Sequence, residues 1–373
     1  MKISVRFSTM IIETDISEKF FQLLQIAVGT KRTIDITLTD QEWSAIYDIS
    51  CKQSLVAVVI RAADKLSDRG IKPPTHLLFQ WIGESESIRQ RNKHIDSQCG
   101  MLMNWFKDAG YQSCILKGQG VARLYTYPDS RQAGDIDIWV DANRDDIVKK
   151  MRDGFLNVTY VDYVNCHSAF FVDTEVEVHF RPTWMFNPFI NRKVQKWIRE
   201  NKKNQMTNYD SEVGFSYPTI SFNLVFSLIH IYRHVFFEGI GLRQLMDYYY
   251  ILTHSREDER ARAFETLKSF GLDKFVGTVM YVLQRVFNID SSLLLCTPNK
   301  EEGMFLLEEI LRGGNFGHYD DRIKRVSDKQ RWRRGLENAK RNYRFLAHYP
   351  NEVIWIPAWK IWHWGWRKWK GYL

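Results

Sequence analysis

Cysteine is scarce and scattered in this chain of 373 residues. The cysteines are Cys51, Cys99, Cys114, Cys166 and Cys296. Their positions lack the spacing of a zinc site, and an odd number of cysteines argues against a disulfide framework. We therefore expect the thiols to be buried or inert.

Long apolar runs, internal repeats and low-complexity linkers are also missing. No stretch approaches the roughly 18 consecutive apolar residues that span a bilayer. Arg6, Glu13 and Asp15 interrupt the N-terminal segment, so it does not resemble a signal peptide. We therefore expect a cytoplasmic protein, either free or peripheral to a membrane. A chain of this length can bury more than one core, so we expect a central module between helical flanks.

Two acids lie inside the apolar segment Gly134–Val140. Residues two apart in a strand point to the same face, so Asp135 and Asp137 project together while Ile136 and Ile138 face the other way. Neighbouring carboxylates repel each other and Asp is disfavoured inside strands, so the pair costs stability unless a cation lies between them. Mg²⁺ takes oxygen ligands and is usually held by carboxylates together with substrate phosphates. The pattern favours a divalent cation site, and the structural alternative is an Asp pair that caps a strand or meets an Arg.

A second alternating segment, Glu175–Phe180, places Glu177 and His179 on one face. Glu177 can therefore join Asp135 and Asp137. Three acids from two neighbouring strands could hold two metal ions, Mg²⁺ or Mn²⁺, that activate an attacking oxygen and stabilise a leaving pyrophosphate. The pattern indicates phosphoryl or nucleotidyl transfer.

Upstream, the segment Ser113–Leu116 predicts a strand that breaks at Lys117 and Gly118 before apolar residues recur at helical spacing through Tyr125. Glycine lets a backbone approach a phosphate closely, and a lysine adds a positive charge. The alternative is an ordinary strand-to-helix turn with a surface lysine. Arg131, which precedes the acidic strand, either neutralises a phosphate or pairs with an acid.

These motifs together resemble an uncharacterised bacterial nucleotidyltransferase family of the polymerase-β-like superfamily. The resemblance is concentrated between Gly110 and Pro182 and is carried by Leu116-Lys117-Gly118, Leu124-Tyr125, Arg131-x-x-Gly134-Asp135-Ile136-Asp137 and Val176-Glu177-Val178-His179. It implies a small mixed sheet flanked by helices, with an NTP and Mg²⁺ as substrate and cofactor. It also implies that Asp135, Asp137 and Glu177 hold the metal and that Lys117 and Gly118 lie beside the triphosphate. The wider superfamily usually carries Gly-Ser in this loop, so Lys-Gly is a departure.

Helical periodicity dominates on both sides of this core. Apolar residues recur at helical spacing over 16–28, 41–49, 54–66 and 87–109, and no strand is predicted beyond Pro182. We predict an α+β fold, a small mixed β-sheet nucleotidyltransferase core flanked by N-terminal and C-terminal helical regions. The predicted divisions are a helical region over 1–108, the catalytic core over 109–185, a helical domain over 186–320 and a basic, Trp-rich helical segment over 321–373.

Two pairs of polar residues four apart follow in an apolar stretch that predicts two helices joined by a glycine turn. His230 and His234 form one pair, and Arg243 and Asp247 form the other. Together with His179 they are candidates to line the cleft and contact nucleotide or acceptor. The alternative is that the histidines pack and that Arg243 and Asp247 form an intrahelical ion pair. No Glu follows His230, which excludes a zinc-protease motif.

Positive charge is concentrated at the C-terminus. From Arg322 onward there are fourteen Lys and Arg against three Asp and Glu, which gives this segment a charge of +11. The net charge of the chain is +8, so the preceding residues carry −3. Five tryptophans recur every three or four residues, so a helix would place them on one stripe: Trp355, Trp359, Trp362, Trp366 and Trp369. The stripe either packs on the helical body or contacts an anionic membrane surface or a nucleic acid.

We therefore predict a Mg²⁺-dependent nucleotidyltransferase that moves a nucleoside monophosphate from an NTP to an acceptor. The expected acceptor is a small molecule, a saccharide, an RNA or a protein. Three alternatives are a toxin-like enzyme that modifies tRNA or protein, a non-catalytic interaction module that keeps the fold and uses the Trp-rich tail, and a membrane-surface partner in envelope or polysaccharide assembly.

Overall fold

The computed structural model describes residues 15–34, 37–154, 156–322, 339–340 and 342–372. Arg6 and Glu13, used above to argue against a signal peptide, and the part of the basic segment over 323–338 lie outside the described residues. The chain forms two compact units. Unit 1 comprises Met1–Gln90, Leu124–Gln132 and Ile231–Asn338, and unit 2 comprises Arg91–Arg123, Ala133–His230 and Ala339–Leu373.

From Asp15 onward, the described residues form these α-helices before the first strand: α1 (Asp15–Val28), α2 (Asp40–Gln53), α3 (Val56–Leu66) and α4 (Thr75–Asp108). The Thr39 hydroxyl accepts from the Glu42 amide at 3.3 Å, and the Glu42 carboxylate accepts from the Thr39 amide at 2.8 Å. This reciprocal cap fixes where α2 begins. Helix α4 begins after Pro74 and runs for 34 residues, so it starts earlier than the predicted stretch over 87–109. Leu77, Leu78, Trp81 and Ile82 do recur at helical spacing in its first turns, but Gly83 and the polar residues after it separate them from the predicted stretch.

A mixed five-stranded sheet lies in unit 2. Its strands are β1 (Ser113–Ile115), β2 (Ile136–Val140), β3 (Val158–Val161), β4 (Asn165–Ser168) and β5 (Val176–His179), in the order β1-β2-β5-β4-β3. Strands β2 and β5 are parallel, and the other neighbouring pairs are antiparallel. The predicted α+β class with a small mixed sheet is confirmed. The expectation of no strand beyond Pro182 is wrong, because β6 (Tyr209–Asp210) and β7 (Phe215–Ser216) form a two-stranded sheet whose strands are too short to show alternation.

The apolar face of the sheet packs against the second half of α4. Ile136 and Ile138 of β2 and Val178 of β5 belong to one buried cluster with Leu102 and Phe106 of α4. Burying each such side chain contributes about 1.5–3 kcal/mol. Because strand residues alternate, this packing turns Asp137 and Glu177 to the opposite face of the sheet.

Within the described residues the later α-helices are α5 (Gln119–Ala122), α6 (Arg144–Asp153), α7 (Pro188–Met206), α8 (Ile220–Phe237), α9 (Leu242–Thr253), α10 (Glu257–Ser269), α11 (Asp273–Phe287), α12 (Lys300–Gly313), α13 (Pro350–Val353) and α14 (Ile356–Trp369). As predicted, α8 and α9 are joined by a turn that contains a glycine at positive φ, Gly239. By length and composition α8 could cross a membrane, although the sequence contains no uninterrupted apolar run of that length. However, 61% of α8 is buried in the structure, and a buried core helix passes the same test.

Helix α14 packs part of its Trp stripe within unit 2, whereas Trp369 at its end is exposed. The Trp359 ring stacks on Trp184 with centroids 4.1 Å apart, and Trp362 meets Tyr163 edge-on at 5.3 Å. Nearby, the Glu352 carboxylate accepts hydrogen bonds from the backbone amides of Phe186 and Asn187. The stripe therefore packs mainly on segments that follow strands β3 and β5. The opposite side of α14 is exposed.

Candidate active site

The parallel pairing of β2 and β5 places Asp137 directly beside Glu177, and Trp139 beside His179. Side chains at paired positions share one face of a sheet. Ligand atoms of Asp137, Glu177 and His179 all lie within 4.8 Å of one another, and within the described part of the chain this is the one such group of three or more. We call Asp137, Glu177, His179 and the nearby Asp135 and Lys117 the carboxylate cluster.

Asp135 lies one residue before β2 and outside the tight group of three ligand atoms. It nevertheless feels the charges of the other members of the carboxylate cluster. Burial, followed by the negative charge of Asp137, raises the pKa of Asp135 to about 6. Strand alternation thus predicted that the three acids lie near one another. The sequence analysis placed His179 among the residues that line a cleft, whereas the structure places it in contact with Asp137 and Glu177.

Two cationic side chains contact these acids. Lys117 Nζ lies 2.9 Å from Asp137 Oδ1, and His179 Nε2 lies 2.8 Å from the same oxygen and 3.3 Å from Glu177 Oε2. Burial opposes the charged form of His179, but its hydrogen bonds to Asp137 and Glu177 raise its pKa to about 9. The imidazole is therefore protonated at neutral pH and lies between two carboxylates, as a metal cation would.

The same contacts act on the partners. Burial alone would raise the pKa of Asp137, but the Lys117 charge and the His179 hydrogen bond hold it well below its usual range. The pKa of Glu177 is also lowered, because its hydrogen bond from His179 outweighs burial. The pKa of Lys117 is raised despite burial by the charges of Asp137, Asp135 and Glu177. At neutral pH the cluster therefore holds three carboxylates against two cations.

Two glycines shape the loop that carries Lys117. Gly118 has a φ of +55°, in the left-handed region that favours glycine. A Cβ on Gly120 would lie 2.8 Å from the Ile115 carbonyl oxygen and 2.9 Å from Tyr217 Cβ, so the backbone approach excludes a side chain. The loop continues into α5, which spans only Gln119–Ala122, so the predicted helix through Tyr125 is wrong.

Strand β4 contributes polar side chains that the sequence analysis missed. Asn165 Nδ2 donates to Glu177 Oε2 at 2.6 Å, and His167 Nε2 lies 3.7 Å from Glu177 Oε1. Asn165 pairs with His179 and His167 with Glu177 in the antiparallel register. The signal was present, because Asn165-Cys166-His167 alternates polar and apolar residues with the period of two that reveals β2 and β5.

Arg131, Arg243 and Asp247 lie in unit 1. Arg131 Nε and Nη2 donate to the two carboxylate oxygens of Asp247, both at 2.8 Å, and Tyr125 donates to Asp247 Oδ1 at 2.7 Å. Arg243 donates to the Gln132 carbonyl at 2.6 Å. Arg131 therefore pairs with an acid, and its contact with phosphate stays a prediction.

The predicted pair of histidines lies on α8. The His230 ring is 5.9 Å from the Phe226 ring, and His234 Nδ1 is 3.5 Å from Glu238 Oε2. Within the described residues, neither belongs to a group of three close metal-ligating side chains. Their place in the cleft stays a prediction.

Comparison with known protein families shows which family this chain belongs to. The profile of a family described as uncharacterised nucleotidyltransferase matches residues 39–288. The chain belongs to this nucleotidyltransferase family. The bacterial source and the polymerase-β-like superfamily named above stay predictions. Neither a curated protein nor a solved structure matches the chain.

Membership in the nucleotidyltransferase family supports nucleotidyl transfer as the kind of chemistry and an NTP as the substrate. Nucleotidyltransferases generally use divalent metals, and the chain offers a largely buried Asp-Glu-His group that could bind one. The donor set fits a hard cation, because carboxylate oxygens of Asp137 and Glu177 converge and the cluster carries an excess negative charge. Burial is the main cause of the raised pKa of Asp135, and the negative charge of Asp137 adds to it.

Proposed function

We propose that the protein transfers a nucleoside monophosphate from an NTP to an acceptor in a Mg²⁺-dependent reaction at Asp135, Asp137 and Glu177. The observation that carries the proposal is the register that sets Asp137 beside Glu177 on the polar face of the sheet. The family match supports the reaction type, and the negative excess of the cluster supports the metal.

Within the proposed reaction, each charged side chain has a role. Asp137 and Glu177 would hold the metal, with Asp135 as a third acid beside them. The lowered pKa of Glu177 makes it a weak base, which favours a ligand role over proton abstraction from the acceptor. When the NTP binds, Lys117 would leave Asp137 and form an ion pair with a phosphate oxygen of the NTP. Mg²⁺ would supply charge stabilisation for the leaving pyrophosphate.

Calorimetric titration tests this function directly. ATP, GTP, CTP and UTP are titrated with Mg²⁺, and separately with Mn²⁺, into the wild type, Asp137→Asn and the matched control Asp153→Asn. Asp153 is an exposed acid at the end of α6 in the same unit. We expect metal-dependent binding of at least one NTP, weakened about 100-fold by Asp137→Asn, or about 2.7 kcal/mol, and unchanged by the control.

Circular dichroism establishes that all three proteins are folded. Absence of NTP binding to the folded wild type, or equal affinities for the wild type and Asp137→Asn, would contradict the proposal. It would support the non-catalytic interaction module instead.

The exposed side of α14 supports a second proposal, that the protein is cytoplasmic and peripheral to an anionic membrane surface. Ile361, Trp364 and Trp369 are 73%, 59% and 78% exposed. Lys368 lies among them, and residues 354–372 contain no Asp or Glu. Tryptophan and lysine on one exposed helix side suit the interface of an anionic bilayer.

Flotation with liposomes tests the membrane proposal. Wild type should float with vesicles that contain phosphatidylserine and not with neutral vesicles, and Ile361→Ser/Trp364→Ser should stay in solution. Val172→Ser, at a fully exposed valine elsewhere in unit 2, is the matched control. Undiminished flotation of the double variant would overturn the proposal.

A further inference from the structure

A cavity of about 510 Å³ opens at the carboxyl ends of the parallel strands β2 and β5, in unit 2. Its walls are the segment that follows β2, the segment that follows β5 and one side of α7. In open sheets, ligands bind at the carboxyl ends of parallel strands. No member of the carboxylate cluster lines this cavity, so it is not explained by the proposed metal site.

The acids in the cavity wall are already paired. Lys202 binds Asp141. Asp145 accepts from Lys370 Nζ at 3.0 Å and from the Tyr372 hydroxyl at 3.1 Å. A third acid, Asp146, accepts from the side-chain amide of the neighbouring Asn143 at 3.2 Å. Each negative charge in the wall therefore has a donor of its own.

The arginines in the wall are not paired with acids. Arg144 and Arg181 both donate to the carbonyl oxygen of Tyr163, at 3.2 and 2.9 Å. Within the described residues, no carboxylate forms an ion pair with Arg144, Arg181 or Arg199, and Arg199 has no hydrogen bond either. The charges of Asp145 and Asp162 both reach Arg144, but Asp145 is bound by Lys370 and Tyr372, and Asp162 accepts from the backbone amides of Val164 and Asn165.

Packing holds two of these guanidinium groups in place. Arg144 lies over the Trp366 ring of α14 at 4.3 Å, and Arg181 lies over the Tyr163 ring at 4.2 Å. The Nε atom of Arg144 is buried without a hydrogen-bond partner. Burial and the charge of Arg181 lower the pKa of Arg144. Two neighbouring, partly buried guanidinium groups without a carboxylate cost stability unless an anion joins them.

The cavity lies on the same sheet face as the carboxylate cluster. Trp139 shares a face of β2 with Asp137 and lines the cavity, while Asp141 and Arg181 follow Asp137 and Glu177 by four residues each. Four residues of strand span about 13 Å. Lys117 lies toward the other end of β2, because β1 runs antiparallel and pairs Ile115 with Ile138. An anion in the cavity would therefore lie about 13 Å from the metal site, a distance that one small molecule can span. The cavity and the Lys117 loop lie toward opposite ends of β2.

We propose that this cavity binds a phosphate group of the acceptor, through Arg144, Arg181 and Arg199, so that the acceptor is a phosphorylated small molecule. This inference rests on the proposed nucleotidyl transfer, since it assigns the acceptor end of that site. The planar guanidinium group matches phosphate oxygens in two-point contacts and stays charged when partly buried. The mixed apolar and polar wall leaves room for the body of the acceptor to reach toward Asp137.

Calorimetry with inorganic phosphate and with glucose 6-phosphate tests the cavity, with glucose as the uncharged control. We expect both phosphates to bind the wild type and glucose not to bind. Arg199→Gln and Arg181→Gln should each weaken phosphate binding at least about tenfold, or about 1.4 kcal/mol. Arg192→Gln, at an exposed arginine of α7 outside the cavity wall, is the matched control and should bind as the wild type does. Arg199 is exposed, so its variant keeps the test valid if Arg181→Gln does not fold.

Four results would overturn the inference. These are no phosphate binding to the wild type, equal binding to Arg199→Gln and the wild type, displacement of phosphate by NTP with Mg²⁺ in competition, and tighter binding of a 5′-phosphorylated RNA hexamer through the same arginines. The third result would assign the cavity to the nucleotide and the fourth to a nucleic acid.

The inference and the proposed function fail in different experiments. Asp137→Asn should weaken NTP binding about 100-fold, as above, and leave phosphate binding within about twofold of the wild type, because Asp137 does not line the cavity. Phosphate binding that requires Arg199 in a protein that binds no NTP would support the anion site and overturn nucleotidyl transfer. NTP binding without phosphate binding would support nucleotidyl transfer and overturn the anion site.

Discussion

Two buried charged groups of this molecule differ in their balance. In unit 1, Arg131 and Asp247 form a matched pair, with side chains 5% and 13% exposed and two hydrogen bonds between them. In unit 2, the carboxylate cluster holds three acids against two cations. The matched pair is neutral, whereas among the described residues the cluster has one more carboxylate than it has cations, and a bound metal ion would offset that charge. Charge balance therefore separates a group that holds the fold together from a group built to bind.

The cavity at the carboxyl ends of β2 and β5 repeats the imbalance with the opposite sign. Its arginines lack carboxylates just as the acids of the cluster exceed their cations. The carboxylate cluster on this small sheet therefore carries excess negative charge, and the cavity at the carboxyl ends of β2 and β5 carries excess positive charge. A substrate that carries a phosphate and reacts at a metal would satisfy both.

Breaking the matched pair should have the largest effect. Arg131→Met leaves the Asp247 carboxylate buried without its guanidinium, so we expect the free energy of unfolding to fall by roughly 3–5 kcal/mol. Urea denaturation measures this, with Arg69→Met at an exposed position of unit 1 as the control. Unchanged stability combined with lost NTP affinity would show instead that Arg131 contacts the nucleotide, as the sequence analysis also allowed.

Removing a cation from the unbalanced cluster should increase its affinity for metal. Lys117 occupies Asp137 Oδ1, so Lys117→Met should bind Mg²⁺ about tenfold more tightly in the absence of nucleotide, or about 1.4 kcal/mol. The same variant should bind NTP less tightly, because it has lost a phosphate contact. Calorimetry measures both affinities, and Lys149→Met on α6 is the exposed control. Weaker Mg²⁺ binding by Lys117→Met would contradict the competition between lysine and metal.

The pH dependence of Mg²⁺ binding should reveal the excess negative charge. The pKa of Asp135 is raised to about 6, so this carboxylate is ionised above pH 6 and takes up a proton below it. Mg²⁺ affinity should therefore fall by up to about tenfold per pH unit as the pH drops below 6. Titrations without nucleotide between pH 5 and 7 measure this and avoid the His179 transition near 9. Asp135→Asn should remove the slope, and an equally steep slope in that variant would assign the titration to another group.

The smallest effect should come from the unpaired arginine at the cavity. Arg199 is exposed and has no partner within the described residues, so Arg199→Gln should change the free energy of unfolding by less than about 0.5 kcal/mol. Urea denaturation checks this beside the phosphate titration. A decrease of more than about 1 kcal/mol in the free energy of unfolding would mean that Arg199 stabilises the fold, as Arg131 does.

The sequence predicted those parts of the site that depend on strand alternation. Ile136 and Ile138 had to face a core, so Asp137 had to face away from it, and Val176 and Val178 fix Glu177 in the same way. The adjacency of the two strands followed from the need of the acids for a shared cation. Strand periodicity and charge repulsion are local properties, which is why they can be read without the fold.

Long-range partners could not be read in this way. Asp247 lies 116 residues beyond Arg131 and pairs with it only after unit 1 has formed. The wall of the arginine cavity comes from segments around 141–146, 180–181 and 195–202, none of which carries a motif. Strand β3 went unpredicted because Thr159 and Tyr160 are exposed and leave no apolar alternation. The pairing of β4 with β5 likewise depends on tertiary packing and not on local preference.

The stacking of Trp359 on Trp184 has a consequence for synthesis on the ribosome. All five strands of the main sheet have been translated once residue 179 is made, yet Trp184 and Phe186 receive their aromatic cover from residues near 359. Contacts this distant along the chain form late and slow folding. The nascent sheet unit therefore waits, with an aromatic patch exposed, while the whole third segment of unit 1 is being translated. A chaperone that shields aromatic surfaces should be found on this chain during that interval and should leave once Trp359 has docked.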